Sequence, residues 1–253
     1  ALGEEALAQV TPEEPGAAGD QRARSLHAIP HHVRTCLLEV RRPESGAGLE
    51  SFARAHGLPA PPIHQTSALG HRHRARLAVR GRAADPRIGL FQAGSHRIVA
   101  TPDCAVHHPA INAAAAALRE AIRETATEPY DDDAHRGALR YVQLVVERPS
   151  GRVQVVLVGR GDSPDCLGEL PAALAARMGP ELQGLFFNAQ PDRTNAVLGE
   201  RTIALAGESA VRERIGGVDV FFPPTAFGQN HLPLFDAAVA RIHALVPTSA
   251  RVL

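Results

Sequence analysis

Apolar positions along this chain switch between a period of two and a period near 3.6, and the switches mark out strands and helices. Residues 34–42, RTCLLEVRR, read as a strand, and residues 49–57, LESFARAHG, as a short amphipathic helix stopped by Gly57. Pro59, Pro61 and Pro62 then stiffen a connector, which is the first plausible boundary. Residues 71–81, 87–92 and 96–100 alternate as three strands separated by Asp-Pro and Gly-Ser turns, the pattern of a meander. Behind Pro109, the residues Ile111, Ala114, Leu118, Ala121 and Ile122 repeat at helical spacing, so a helix is predicted there.

Residues 138–160 hold two β-rich runs joined by Pro-Ser-Gly, a hairpin whose second run, VQVVLV, is apolar enough for a central strand. A helix follows in residues 167–179, with Pro171 forcing its start and Gly179 its stop. Further strands are expected at 182–190, 202–207, 210–217 and 218–224, then an amphipathic helix at 232–247 and an apolar strand at 250–253. Strands clustered among a few helices predict an α+β fold, a largely antiparallel sheet with flanking helices. The organisation expected is a leader and linker at 1–33, a small β-α segment at 34–62, a central domain at 63–224 and a last segment at 225–253.

Composition sharpens this picture at the start of the chain. Residues 11–20, TPEEPGAAGD, cannot form a packed core and read as an acidic leader. Residues 1–20 hold five acids and no base, so the zero net charge of the 253 residues leaves the remainder at +5. All 27 basic residues are arginine, which suits phosphate contacts but also fits a GC-rich codon bias. No run approaches the roughly 20 apolar residues of a membrane span, and no basic signal segment opens the chain, so neither export nor membrane insertion is expected. Three scattered cysteines, Cys36, Cys104 and Cys166, argue for a reducing, cytoplasmic setting and are too few for a four-cysteine iron–sulfur cluster.

The strongest local chemistry is the basic strand. Alternation puts Arg72, Arg74 and Arg76 on one face and His71, His73 and Ala75 on the other. With Arg80, Arg82, Arg87 and Arg97 against Asp85 alone, residues 71–100 carry a local +6, which fits either a polyanion-binding face or a solvated one. His71 and His73, with the doublets at 31–32 and 107–108, lack a cysteine at finger spacing, so no metal site is expected. The acidic run 131–133 reads as a solvated turn.

Three stretches together resemble the S-adenosylmethionine-dependent RNA uracil-C5 methyltransferases that act on ribosomal and transfer RNA. Residues 74–112 are similar to the opening of that family's central domain: a basic strand, a glycine-phenylalanine strand and a Cys-Pro-like turn. Residues 182–231 resemble the segment ending in a Phe-x-Gln-x-Asn type motif, where TAFGQNH keeps Phe227 and Gln229 but has His231 for the usual asparagine. ARIHALVPTSARVL resembles the helix and first strand that lead into an Asp-x-x-x-Gly cofactor loop. Residues 1–67 show no counterpart to the family's amino-terminal RNA-binding barrel, and the cluster cysteines of many members are missing.

The resemblance implies ribosomal RNA as partner and S-adenosylmethionine as methyl donor. Uracil C5 is a poor nucleophile, so members add a cysteine thiolate to C6, let the enolate take the sulfonium methyl, and remove the C5 proton with a carboxylate. By the resemblance those groups belong to a Rossmann-like domain beyond Leu253. The expectation is therefore an inactive 253-residue part of an enzyme, with a non-catalytic RNA-binding module as the alternative. Arg72, Arg74, Arg76, Arg80 and Arg97 are the RNA-binding candidates. Phe227 and Gln229, two residues apart, suit a wall beside a flipped pyrimidine or the cofactor, or else a core ring and a helix-capping amide.

Overall fold

The computed structural model describes residues 44–246 apart from 65, 68, 93 and 96. The acidic leader and the strands expected at 34–42 and 250–253 lie outside the described residues. The helix expected near residue 49 runs over Glu44–Ala55 (α1). The meander then forms as β1 (Arg74–Arg82), β2 (Asp85–Phe91) and β3 (Ile98–Ala100). Pro109 opens α2 (Pro109–Thr125), where the His108 side chain accepts from the Ala110 N–H at 3.2 Å as N-cap. The hairpin is β4 (Leu139–Val146) and β5 (Val153–Gly159), followed by α3 (Leu170–Met178), β6 (Leu182–Ala189) and β7 (Arg201–Gly207).

These strands make one seven-stranded sheet in the order β3-β2-β1-β4-β5-β6-β7. Every neighbouring pair is antiparallel except β5 and β6, because α3 carries the chain back to the end of the sheet where β5 began. β8 (Val211–Ile215) and β9 (Val218–Phe222) form a separate hairpin. Its two-residue turn places Gly216 and Gly217 at φ 58° and 85°, the backbone that favours glycine. α4 (Leu232–Leu245) ends the described chain. Among the described residues no helix is long and apolar enough to cross a membrane.

The two faces of the sheet differ. α2 and α3 pack on one face, where Ile111, Leu118 and Ile122 meet Leu77, Val79, Val142 and Leu157 in a continuous core. Each such side chain contributes roughly 1.5–3 kcal/mol by leaving water. On the other face Ala78, Tyr141 and Val158 are covered by Val197 and Leu198 from the loop after β6. A bulge in β4 sets Leu139 opposite Gly159 and Tyr141 opposite Val158, which leaves Arg140 as the extra residue.

Candidate nucleic-acid interface

Residues 223–231, which link β9 to α4, lie alongside the start of β1 and are fastened to it. Arg74 Nη1 donates to the Ala226 carbonyl at 2.7 Å, and His73 N–H to the Asn230 carbonyl at 3.4 Å. Arg72 pairs as an isolated bridge with His231. From β4, Gln143 Nε2 donates to the Pro224 carbonyl while its Oε1 accepts from Arg76 Nε at 2.7 Å. One amide thus ties the linking segment and an arginine to the same strand. A groove of about 290 Å³ results, lined by Arg72, Arg74, Arg76, Phe227, Gly228 and Asn230.

The groove sets exposed positive charge beside an exposed aromatic ring. Arg72 and Arg76 are exposed, and the Phe227 ring is 79% exposed. Arg74 is partly buried, 5.9 Å from the Phe222 ring centroid. Burial first, and then the positive Arg76, lower the Arg74 pKa, while Glu213 raises it. Arginine still stays charged near neutrality. A bound anion would relieve the repulsion between the two guanidinium groups.

A partly buried ion network flanks the linking segment. Arg148, at the β4–β5 turn, reaches Glu213 on β8 at 2.6 Å and Asp236 on α4 at 2.6 Å. Burial lowers its pKa, but the two carboxylates outweigh that and raise it. Glu147 beside it accepts from the Arg212 N–H at 2.9 Å. The elements on both sides of residues 223–231 are thereby pinned to the sheet. Sequence reasoning missed Gln143, Arg148 and Glu213. Gln143 had a signal, a polar residue inside the apolar run LRYVQLVV, whereas the two charges look like ordinary turn and hairpin surface.

The structure brings Arg72, Arg74, Arg76 and Phe227 together and sets two other candidates apart. Arg80, an RNA-binding candidate, is 8% exposed and bonded to Asp132 at 2.7 Å and to the carbonyls of Val79 and Arg140. In the acidic turn Asp131 and Asp133 are exposed as expected, while Asp132 supplies the counter-charge of the buried Arg80 guanidinium. Arg97 is exposed between β2 and β3 and is not among the groove's lining residues. Gln229 is exposed, at the edge of a crevice of about 10 Å³ beside His73 and Leu232. It does not cap α4; His231 does, accepting from the Leu234 N–H at 3.3 Å.

The histidines meet ring to ring. His71 and His231 stack with centroids 4.3 Å apart, and His73 and His108 meet at a tilt of 36° with centroids 5.0 Å apart. Burial lowers the pKa of both His73 and His108, with His108, Arg148 and His231 adding to the effect at His73 against its bond to the His71 carbonyl. Among the described residues no group of three or more His, Cys, Asp or Glu is placed to hold a metal.

No protein-family model matches the chain. Its sequence is nevertheless similar to proteins named RNA methyltransferases, and this likeness supports the RNA methyltransferase family, as the three resembling stretches do. It is 35% identical over 199 residues to an uncharacterized RNA methyltransferase of Protochlamydia amoebophila, covering 76% of this chain and 52% of that protein. An uncharacterized RNA methyltransferase of Gloeobacter violaceus is 30% identical over 197 residues, covering 76% and 42%. The chain thus spans about half the length of these curated relatives. Its fold is shared with the crystal structure of Pyrococcus abyssi tRNA (uracil-54, C5)-methyltransferase in complex with S-adenosyl-L-homocysteine. The TM-score is 0.64 at 22% identity, covering 79% of this chain and 46% of the other.

Proposed function

We propose that this chain is the RNA-holding part of a cytoplasmic methyltransferase that transfers a methyl group from S-adenosylmethionine to uracil C5 in ribosomal RNA. The observation that carries the reading is the groove itself, where Arg72 and the β1 residues Arg74 and Arg76 meet an exposed phenylalanine ring. Guanidinium groups hold the phosphates, and the ring offers a stacking surface for an unpaired base. The methyl donor is a different matter. Phe227 and Gln229 form an exposed edge, and the crevice of about 10 Å³ at Gln229 is far too small to enclose that molecule. Phe227 and Gln229 do not by themselves make its pocket, and no chemical step is assigned to them.

The uracil-C5 assignment is tested by the proton that methylation must displace. Given C5-tritiated ribosomal RNA and the methyl donor, the whole protein is expected to release tritium to water, and Phe227→Ala to slow that release. Methyl transfer without tritium loss would overturn the C5 assignment, and transfer to transfer RNA alone would overturn the ribosomal one.

A further inference from the structure

A second cleft, of about 600 Å³, opens on the same sheet face as the groove and is lined by Asp132, Asp133, Arg140, Arg193, Thr194 and Asn195. We infer that this cleft holds a second, unpaired nucleotide of the RNA strand, a proposal that rests on the RNA-binding reading above.

The floor of the cleft is a buried cation. Arg140 is 2% exposed and donates to the carbonyls of Gln190, Asp192 and Thr194 at 2.7, 2.6 and 3.3 Å. Its Nε has no hydrogen-bond partner, and no carboxylate among the described residues lies within 4 Å of it. A guanidinium held by three carbonyl dipoles and the face of the Tyr130 ring, 4.5 Å from its centroid, but by no counter-charge, retains its full charge in a place with little water to screen it, so it favours an anion in the cleft. The neighbouring Asp132 does not cancel it, because that carboxylate is engaged at 2.7 and 3.0 Å by Arg80.

The rim carries the complementary groups. Arg193, Asp133 and Asn195 are exposed, giving one guanidinium for a phosphate and a carboxylate and an amide for the donors and acceptors of a base edge. The rim loop is held in place. Asn188 donates to the carbonyls of Gly199 and Arg201 at 2.9 and 3.1 Å and accepts from the Gly199 N–H at 2.7 Å. A loop fixed before binding costs less to order when ligand arrives.

Position favours a nucleotide within a strand over a free one. Arg76 lines the groove and Arg80 holds Asp132 at the cleft, and four residues of β1 separate them by about 13 Å at roughly 3.3 Å per residue. One single strand crossing the helix-free face reaches both.

The test is the binding of a length series of oligouridylates to the 253-residue chain and to Arg193→Ala, in which an exposed residue is truncated. Loss of one charged hydrogen bond is expected to weaken long oligomers roughly tenfold and leave the shortest ones, which fill the groove alone, unchanged. The salt slope for long oligomers is expected to fall by about 0.7. Equal binding of every length by the variant, while Arg76→Ala weakens all of them, would overturn the cleft and spare the RNA reading. Failure of the unchanged chain to bind any oligomer would overturn both. Free uridine monophosphate competing as well as the oligomers would overturn the strand and make the cleft a mononucleotide site.

Discussion

The two faces of the central sheet are built from the same strands and do opposite work. On the helix-covered face, Ala75, Leu77 and Val79 of β1 and Val142, Leu144 and Val146 of β4 are apolar and buried in the core beneath α2 and α3. On the other face the same strands present Arg74, Arg76, Arg80 and Gln143, and the cover is loop and hairpin rather than helix. Apolar burial needs no particular partner, so the first face tolerates any close packing. Polar burial needs a partner for every donor, and the second face is therefore tied by named bonds to residues 190–199 and 223–231. The lesson is that the face with the exacting geometry is the one left partly open, which is where a ligand fits.

If the comparison holds, the largest effect of a substitution on the helix-covered face is on stability alone. Phe187→Ala removes a fully buried ring and is expected to lower unfolding free energy by about 3–5 kcal/mol in denaturant titration. RNA affinity per folded molecule should stay the same. A change in affinity at matched folded fraction would blur the two faces.

Arg148→Met sits at the junction and sharpens the contrast. It leaves the Glu213 carboxylate, 4% exposed, without its cation, at an expected cost near the low end of the roughly 3–5 kcal/mol range, since Arg148 itself is 23% exposed. Because the network pins both flanks of residues 223–231, RNA affinity should fall as well. Loss of stability with unaltered affinity would show that the segment holds its position without the network.

Phe227→Ala is the converse. The ring is 79% exposed, so stability should shift by less than about 0.5 kcal/mol. Affinity for single-stranded RNA should weaken by about 1–3 kcal/mol, the usual worth of a base on an aromatic platform. Calorimetric titration measures it, and unchanged affinity would remove the ring from the interface.

The smallest effect is with pH. The folded-state pKa values of His73 and His108 are lowered, so in acid the unfolded chain binds protons that the folded chain resists. Their contribution to stability is complete above the unfolded value near 6.5 and is lost as pH falls from there through the lowered folded-state values. His73→Gln should shallow that decline in melting curves. An identical pH profile would mean that other groups set it.

Much of this was legible in the sequence, for physical reasons that differ between the faces. Period and punctuation marked β1–β9 and α2–α4, because Ile111, Leu118 and the VQVVLV run obey simple spacing rules, whereas α1 begins at Glu44, ahead of the expected start at residue 49, and the short helix Pro164–Leu167 was not expected. The parallel β5–β6 pair was not legible, since pairing direction depends on how far α3 returns the chain. The groove was half legible: alternation placed Arg74 and Arg76 on one face, and a motif singled out Phe227. Nothing local foretold that Arg80 would turn inward to Asp132, 52 residues away, or that Arg148 would bridge to Glu213 and Asp236. Long-range ion pairs leave no periodic trace. The bulge that frees Arg140 is equally silent, because it depends on the register of β4 against β5.

The central claim, that the loop-covered face binds RNA through its arginines, is tested most directly by the salt dependence of binding. Single-stranded RNA should be titrated against the 253-residue chain and against the Arg72→Ala, Arg76→Ala double variant across a range of salt concentrations. Both side chains are exposed, so the variant is expected to fold. Each lost phosphate contact takes about 0.7 from the magnitude of the logarithmic slope, so the account predicts a reduction of roughly 1.4 together with weaker binding. A slope identical to that of the unchanged chain, with the fold intact, would contradict it.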